Sequence, residues 1–267
     1  MPTVSVIMGI YNCSDTLTDS IQSIINQNYT DWELILCDDC STDNTYEIAK
    51  GFSDKYENIK LLRNSRNMGL AFTLNKCLSV ARGKYIARAD GDDICLPDRF
   101  KIQVEFLNQN HDYQVVGSSA ILYDETGDRA IRKAIETPDK YDLVYKVPFI
   151  HPTIMMRKEA YDELEGYTVS DRTRRGQDTD LWFRFFAHGF KGYNIQKPLL
   201  KYHESLDDYS KRGFKVRWSG IKTRYIGYKR LGFPKRYYIF LLKPLIAALI
   251  PHRVMYFYHK SVKGYKL

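Results

Sequence analysis

The chain has no aspartate or glutamate after Asp208. Residues 209–267 carry 15 Lys and Arg with nothing to offset them, whereas residues 1–208 hold 25 basic and 32 acidic side chains. The net charge of +8 is therefore a mildly acidic body joined to a strongly basic tail, not a generally basic protein. Glycine-rich phosphate loops are missing too. There is no G-x-x-x-x-G-K-[ST], and no G-x-G-x-x-G follows the first apolar run, which argues against a P-loop NTPase or a simple dinucleotide enzyme. The cysteines are few and odd in number (Cys13, Cys37, Cys40, Cys77 and Cys95), which fits reduced thiols in a cytosolic protein better than a disulfide scaffold. Cys37-Asp38-Asp39-Cys40 has the spacing of a redox motif, but two carboxylates between the sulfurs oppose a reactive thiolate. No apolar run reaches the ~20 residues that a spanning helix needs. The opening residues read as a first strand rather than a signal peptide. Internal repeats and low-complexity linkers are absent.

What is present alternates. Residues 3–10 form a short apolar run rich in β-branched residues, as in a buried parallel strand. Leu17, Ile21, Ile24 and Ile25 follow at helical spacing. Residues 33–37, 59–62 and 84–89 read as further strands, with helices between them at 45–52 and from Leu70 to Ala81. Another helix is expected from Pro97 through Phe106. This order predicts an α/β fold, a mostly parallel sheet covered by helices on both faces. The second half is less regular, with strands expected at 115–123, 149–156 and 193–202 and a helix at 178–188.

Ligands of such sheets bind at the carboxyl ends of the strands. The residues found there are Tyr11-Asn12, Asp38-Asp39 and Asp90-Gly91-Asp92-Asp93. Clustered carboxylates repel unless they share a proton or a cation. The D-x-D of Asp90-Gly91-Asp92, with a glycine that allows a tight turn, suits a hard divalent cation, Mg²⁺ or Mn²⁺, that also takes substrate phosphates as ligands.

These motifs, in order, resemble the family-2 glycosyltransferases of GT-A fold. The matching segments are residues 4–12 (VSVIMGIYN), Asp38-Asp39-Cys40-Ser41-Thr42-Asp43, Asn67-Met68-Gly69-Leu70-Ala71, Asp90-Gly91-Asp92-Asp93 and Leu96-Pro97-Asp98-Arg99. They continue with His151-Pro152, Gly166-Tyr167 and Gly176-Gln177-Asp178-Thr179-Asp180-Leu181-Trp182. The resemblance spans roughly residues 3–205 and implies a Rossmann-like nucleotide-binding sheet. It implies a metal-dependent hexosyltransferase that moves a sugar from a nucleoside-diphosphate donor, UDP-sugar favoured, to a glycan or lipid-linked acceptor with inversion, in cell-surface polysaccharide or glycolipid synthesis. It also implies roles. Tyr11 would lie against the base, Asp39 would accept a base N–H, Asp90 would sit near ribose and diphosphate, Asp92 would bind the metal and Asp178 would be the general base. Three positions depart from the pattern. Gly9 stands where proline is frequent, Gln177 replaces a Glu before the base, and Lys201-Tyr202-His203 replaces Arg-x-His. If His203 faces the diphosphate it would be a metal ligand or a phosphate donor, and otherwise a satisfied structural histidine. The rival readings are a sugar nucleotidyltransferase and a catalytically degenerate donor-binding domain.

The expected domains are 1–208, with a donor-binding half (1–111) and an acceptor-binding half (112–208), and a basic, aromatic-rich helical tail, 209–267. Basic charge with interfacial aromatics suits an anionic membrane surface. The expected location is cytoplasmic, on the inner face of the cell membrane. The alternative for the tail is packing on the body. No recognised nucleic-acid motif accompanies it, so nucleic acid is not an expected partner.

Overall fold

The computed structural model describes residues 1–204 and 214–243. Its first half is a parallel sheet. Strands β1 (Val4–Ile10), β2 (Trp32–Asp38), β3 (Ile59–Arg63) and β4 (Tyr85–Arg88) lie in the order β3-β2-β1-β4. Helices α1 (Ser14–Ile25), α2 (Thr45–Lys55) and α3 (Leu70–Leu78) connect them. Val4, Val6 and Met8 pack on one face with Leu17, Ile21 and Ile24 of α1, while Ile7 packs on the other with Leu74 and Cys77 of α3. β1, β2 and β4 are buried along nearly their whole length and are mostly apolar, as strands covered on both sides need to be, while β3 at the sheet edge is partly exposed. The chain leaves β1 toward β2 and β3, then returns to place β4 on β1's opposite side. That reversal opens a crevice between the carboxyl ends of β1 and β4.

The second half extends the sheet with mixed polarity. β8 (Met155–Arg157) runs antiparallel to β4 and to β6 (Val115–Asp124). β6 is parallel to β9 (Gly192–His203), β7 (Gly127–Arg132) folds back on β6, and β5 (Ile94–Cys95) pairs antiparallel with β9. The remaining helices are α4 (Arg99–Gln109), α5 (Asp142–Tyr145), α6 (Lys158–Glu163), α7 (Gln177–Ala187) and α8 (Phe214–Arg230). The expected α/β class and parallel first half are observed. The strand expected over 149–156 is shorter: His151–Thr153 forms a 3₁₀ turn around Pro152, and only Met155–Arg157 pairs. Proline has no N–H to give to a ladder. β5, β7, α5 and α6 were not foreseen.

The described part of the basic segment packs on the body. On α8, Tyr228 is buried and edge-on to Phe183 of α7, Thr223 donates to the Arg172 carbonyl at 3.2 Å, and Arg224 donates to the Leu143 carbonyl at 2.9 Å. Phe233 and Leu241 complete the contact. The apolar run at 245–250 and the aromatics Tyr256, Phe257 and Tyr258 lie outside the described residues. No helix among the described residues is long and apolar enough to cross a membrane.

A Cβ at Gly227 would come within 2.2 Å of the Phe183 ring, whereas one at Gly220 meets nothing within 4 Å. Gly227→Leu is expected to lose about 1–3 kcal/mol in urea unfolding through overpacking. Gly220→Ala on the same helix should gain about 0.5–1 kcal/mol.

Candidate active site

A cleft of about 550 Å³ opens at the carboxyl ends of β1, β2 and β4. Its walls include Tyr11, Asp39, Asp90, Asp92 and Asp178, so the structure brings together five of the six residues expected in the site.

The loops after β1 and β2 are braced against each other. The Asn12 Oδ1 accepts the Thr42 N–H at 2.9 Å, the Asn12 N–H donates to Ser41 Oγ at 3.1 Å, and the Cys13 N–H donates to Thr45 Oγ1 at 2.8 Å. Asn12 (φ 47°) and Cys40 (φ 62°) are left-handed, a conformation that non-glycine residues keep only where their surroundings over-determine it. The bracing leaves Tyr11 half exposed on the rim.

The two acids after β2 have separate duties. Asp38 is buried, pairs with Arg63 at 3.0 Å and accepts the Ser41 N–H. It shapes the loop. Asp39 faces the cleft and holds the next turn. Its Oδ1 accepts Asn64 Nδ2 and the Met68 N–H, and its Oδ2 accepts the Gly69 N–H, each at 2.8 Å. Gly69 has φ 88°, which a side chain would oppose, so the glycine is required where α3 begins. A carboxylate has about four acceptor sites, so Asp39 keeps one beyond these three hydrogen bonds.

Three carboxylates meet after β4. Asp90, Asp92 and Asp93 each place an oxygen within 4.8 Å of the others. Behind them the buried Arg88 guanidinium pairs with Asp90 and donates to the Ala89 carbonyl. Asp93 is buried. Its Oδ1 accepts the His203 N–H at 3.0 Å, while its Oδ2 has no hydrogen-bond partner. Burial, with Asp90 and Asp92 beside it, pushes the Asp93 carboxyl well above the usual range. A buried carboxylate oxygen without a donor, in a group of three acids, fits a divalent cation with oxygen ligands. Gly91 is not left-handed. A Cβ there would come within 2.8 Å of Cys13 Sγ, so the glycine is a matter of room beneath the carboxylates.

His203 ends β9 on the far side of this group. Its Nδ1 stands 3.9 Å from Asp92 Oδ2 and its Nε2 3.6 Å from Glu125 Oε1, and it does not line the cleft. Its backbone orients Asp93, and its ring is within reach of the cluster's outer edge.

Asp178 lines the cleft from a separate element, the first turn of α7. Its Oδ1 accepts the Thr179 N–H at 2.7 Å. Its neighbour Asp180 is buried and structural. Burial pushes its carboxyl up, but hydrogen bonds from Thr168, Arg172 and Arg184 outweigh this and hold it below the usual range.

Sequence reasoning left Asp93 without a role and passed over Arg88. The signal for Arg88 was present, since an arginine inside a strand buried on both faces must have a partner. Arg174 and Arg175, which also line the cleft, lie in a loop with no periodicity to mark them.

Comparison with known proteins bears on the fold and the family. Residues 5–165 match the model of the family described as Glycosyl transferase family 2. The chain is 49% identical over 261 residues to EpsE of Bacillus subtilis strain 168, a protein assigned to the glycosyltransferases, covering 97% of this chain and 94% of EpsE. S. aureus TarS 1–349 in complex with UDP-GlcNAc superposes with a TM-score of 0.72 at 17% identity, covering 92% of this chain and 72% of that one. The mannosyltransferase PcManGT from Pyrobaculum calidifontis, in complex with GDP-Man and Mn²⁺, gives 0.61 at 17% identity, covering 98% and 80%. These structural likenesses establish the fold as GT-A-like.

Two outcomes test this framework. Asp39→Asn turns an NH₂ toward the Met68 or Gly69 N–H and should cost about 1–3 kcal/mol in urea unfolding. Asp180→Asn should cost about 3–5 kcal/mol at neutral pH. The folded-state pKa of Asp180 is depressed, so its contribution is complete above the unfolded carboxylate range of about 4 and is lost as pH falls through the lower folded value. The difference between Asp180→Asn and the parent should therefore shrink in strong acid, as read by thermal melts across pH.

Proposed function

The chain belongs to glycosyl transferase family 2, and from that premise we propose that it moves a hexose from a nucleoside-diphosphate sugar, UDP-sugar favoured, to an acceptor hydroxyl with inversion. The observation that carries this reading is the Asp90, Asp92 and Asp93 cluster with its unpartnered Asp93 Oδ2, in a cleft shared with Asp39 and Asp178. The acceptor class is a glycan or a lipid-linked sugar, in cell-surface polysaccharide or glycolipid synthesis. The UDP-GlcNAc held by TarS, and the GDP-Man with Mn²⁺ held by PcManGT, support a nucleotide-sugar donor and a divalent cation.

Each residue then has a task. Tyr11 lies along the base, and the remaining acceptor site of Asp39 takes a base N–H, as uracil offers. Asp90, held by Arg88, borders the ribose and diphosphate. Asp92 and Asp93 hold Mg²⁺ or Mn²⁺, with His203 at the edge. When bound, the cation offsets charge on the leaving diphosphate. Asp178 takes the proton of the acceptor hydroxyl as the acceptor oxygen bonds to the anomeric carbon. The bond from that carbon to the phosphate oxygen breaks, and its electron pair departs with the nucleoside diphosphate. Attack opposite the leaving group inverts the centre. The segment after β1, Tyr11-Asn12-Cys13-Ser14, has no basic glycine-rich loop of the kind a nucleotidyltransferase uses. The Gln177 Oε1 accepts the Gly176 N–H at 3.1 Å and leaves Asp178 in place, which argues against a degenerate domain.

For location, we propose the inner face of the cell membrane. Trp218, Tyr225, Ile239 and Leu242 are exposed among basic residues and no acids, which suits anionic lipid. Deleting the tail would also remove buried Tyr228 and Phe233, so point changes are the cleaner probe. Ile239→Asp with Leu242→Asp should reduce flotation with anionic liposomes, and unchanged flotation would contradict membrane binding.

The functional reading is tested by transfer and donor hydrolysis with UDP-, GDP- and dTDP-sugars and Mn²⁺. Asp92→Ala and Asp178→Asn should each lower kcat by about 10²–10⁴, and chelation should abolish turnover. Activity surviving both changes would refute the site.

A further inference from the structure

The walls of the cleft hold four carboxylates, Asp39, Asp90, Asp92 and Asp178, and two cations, Arg174 and Arg175. We propose that these two arginines are a phosphate clamp, a second cationic wall that grips the donor's diphosphate from the side opposite the carboxylate cluster. The proposal rests on the donor class given above and deepens it.

Charge is the first argument. A nucleoside diphosphate brings two anionic phosphates into a cleft already lined with carboxylates. It becomes more negative when the bond to the anomeric carbon breaks and the electron pair stays on the phosphate oxygen. A single divalent cation is largely taken up by the acids that hold it. The chain has no glycine-rich loop of backbone N–H groups to share the load. Guanidinium groups are suited to the task, because their planar fork meets phosphate oxygens two at a time.

Anchoring is the second argument. The residues on either side of the pair are tied to the body. Arg172 is consumed by Asp180 at 2.6 Å, and its carbonyl accepts Thr223 Oγ1 of α8. Thr173 is buried, and its Oγ1 reaches the Thr168 carbonyl at 2.6 Å and the Ser170 carbonyl at 3.0 Å. The Gly176 N–H returns to the Thr173 carbonyl at 3.2 Å. Arg174 and Arg175 therefore project from a fixed base, immediately before the helix that carries Asp178. Both are exposed, so neither is needed to hold the fold.

The third argument is the contact Arg174 makes. Its Nη2 lies 3.4 Å from Asn67 Oδ1, in the turn that Asp39 holds. It thus spans from the loop before α7 to the nucleobase side of the cleft. A hydrogen bond of that length is weak, and exchanging it for a phosphate oxygen gains a charge-assisted one. The clamp also explains the basic segment's service to the site: α8, through Thr223, supports the loop from behind.

The test compares Arg174→Gln, Arg175→Gln and the double variant with the parent by calorimetric titration of UDP with Mn²⁺, by Mn²⁺ titration alone, and by steady-state kinetics. The two ligands should respond with opposite sign. UDP affinity should fall about tenfold for each single change and further for the double. Mn²⁺ affinity in the absence of nucleotide should stay the same or rise, because two cations have left an acidic cleft. Lysine at either position should restore part of the UDP affinity. In turnover, kcat and donor KM should suffer while acceptor KM holds. If the double variant binds UDP with Mn²⁺ as tightly as the parent, the clamp is wrong. A change confined to acceptor KM would equally overturn it and assign the arginines to the acceptor. If the parent itself binds none of UDP, GDP or dTDP in the presence of Mn²⁺, the donor-class reading fails and the clamp with it.

Discussion

Three carboxylates within 4.8 Å of one another repel, and much of this fold exists to keep them there. Asp90, Asp92 and Asp93 leave β4 where the sheet changes from parallel to antiparallel pairing. Two buried arginines secure that junction. Arg88 reaches forward to Asp90, and Arg99 donates to the Arg88 and Ile154 carbonyls at 2.8 and 3.1 Å, tying β4 to the approach to β8. The backbone of His203 then holds Asp93 from β9. The repulsion is a folding cost, concentrated where a bound cation would recover it. Local strain and like charge at an active site are of this kind: they persist because the surrounding packing over-determines them.

The crossover topology sets the distances to everything else. The reversal of strand order at β1 puts Tyr11 beside the carboxylates, and the adjacent β2 adds Asp39. Asp39 is spent mostly on structure, since three of its acceptor positions hold the turn that starts α3. Its remaining capacity is directed rather than free. Another wall of the cleft comes from α7, whose first turn carries Asp178. That helix is held by Asp180 with its two arginines and by α8 behind it. The basic tail thus has a structural part, 214–243, that supports the loop before α7. Trp218, Tyr225, Ile239 and Leu242 stay exposed on the same elements.

Much of this was legible in the sequence. β1, β2 and β4 announce themselves because a strand covered on both faces must be mostly apolar. The acidic residues at their ends mark the site. β5 has two residues and α5 has four, too short for any period to register. Residues 149–156 were misjudged because an apolar run reads as a strand whether or not a proline and a 3₁₀ turn divide it. Asp93 was ambiguous because burial, not identity, separates it from Asp92. The tail was undecidable from composition, since aromatics and basic residues serve both a membrane surface and a buried helix contact. The packing of Tyr228 and Gly227 against Phe183, with the Thr223 and Arg224 hydrogen bonds, shows the buried contact for the described residues.

The central claim is that these acids form one cation site within a donor cleft. The most direct measurement is a crystal structure with Mn²⁺ and UDP, with diffraction collected at the manganese edge. The account predicts a single anomalous peak among Asp90, Asp92 and Asp93, adjoining the diphosphate, with the base between Tyr11 and Asp39. Nucleotide bound in the cleft with no peak there, or a peak elsewhere, would contradict it.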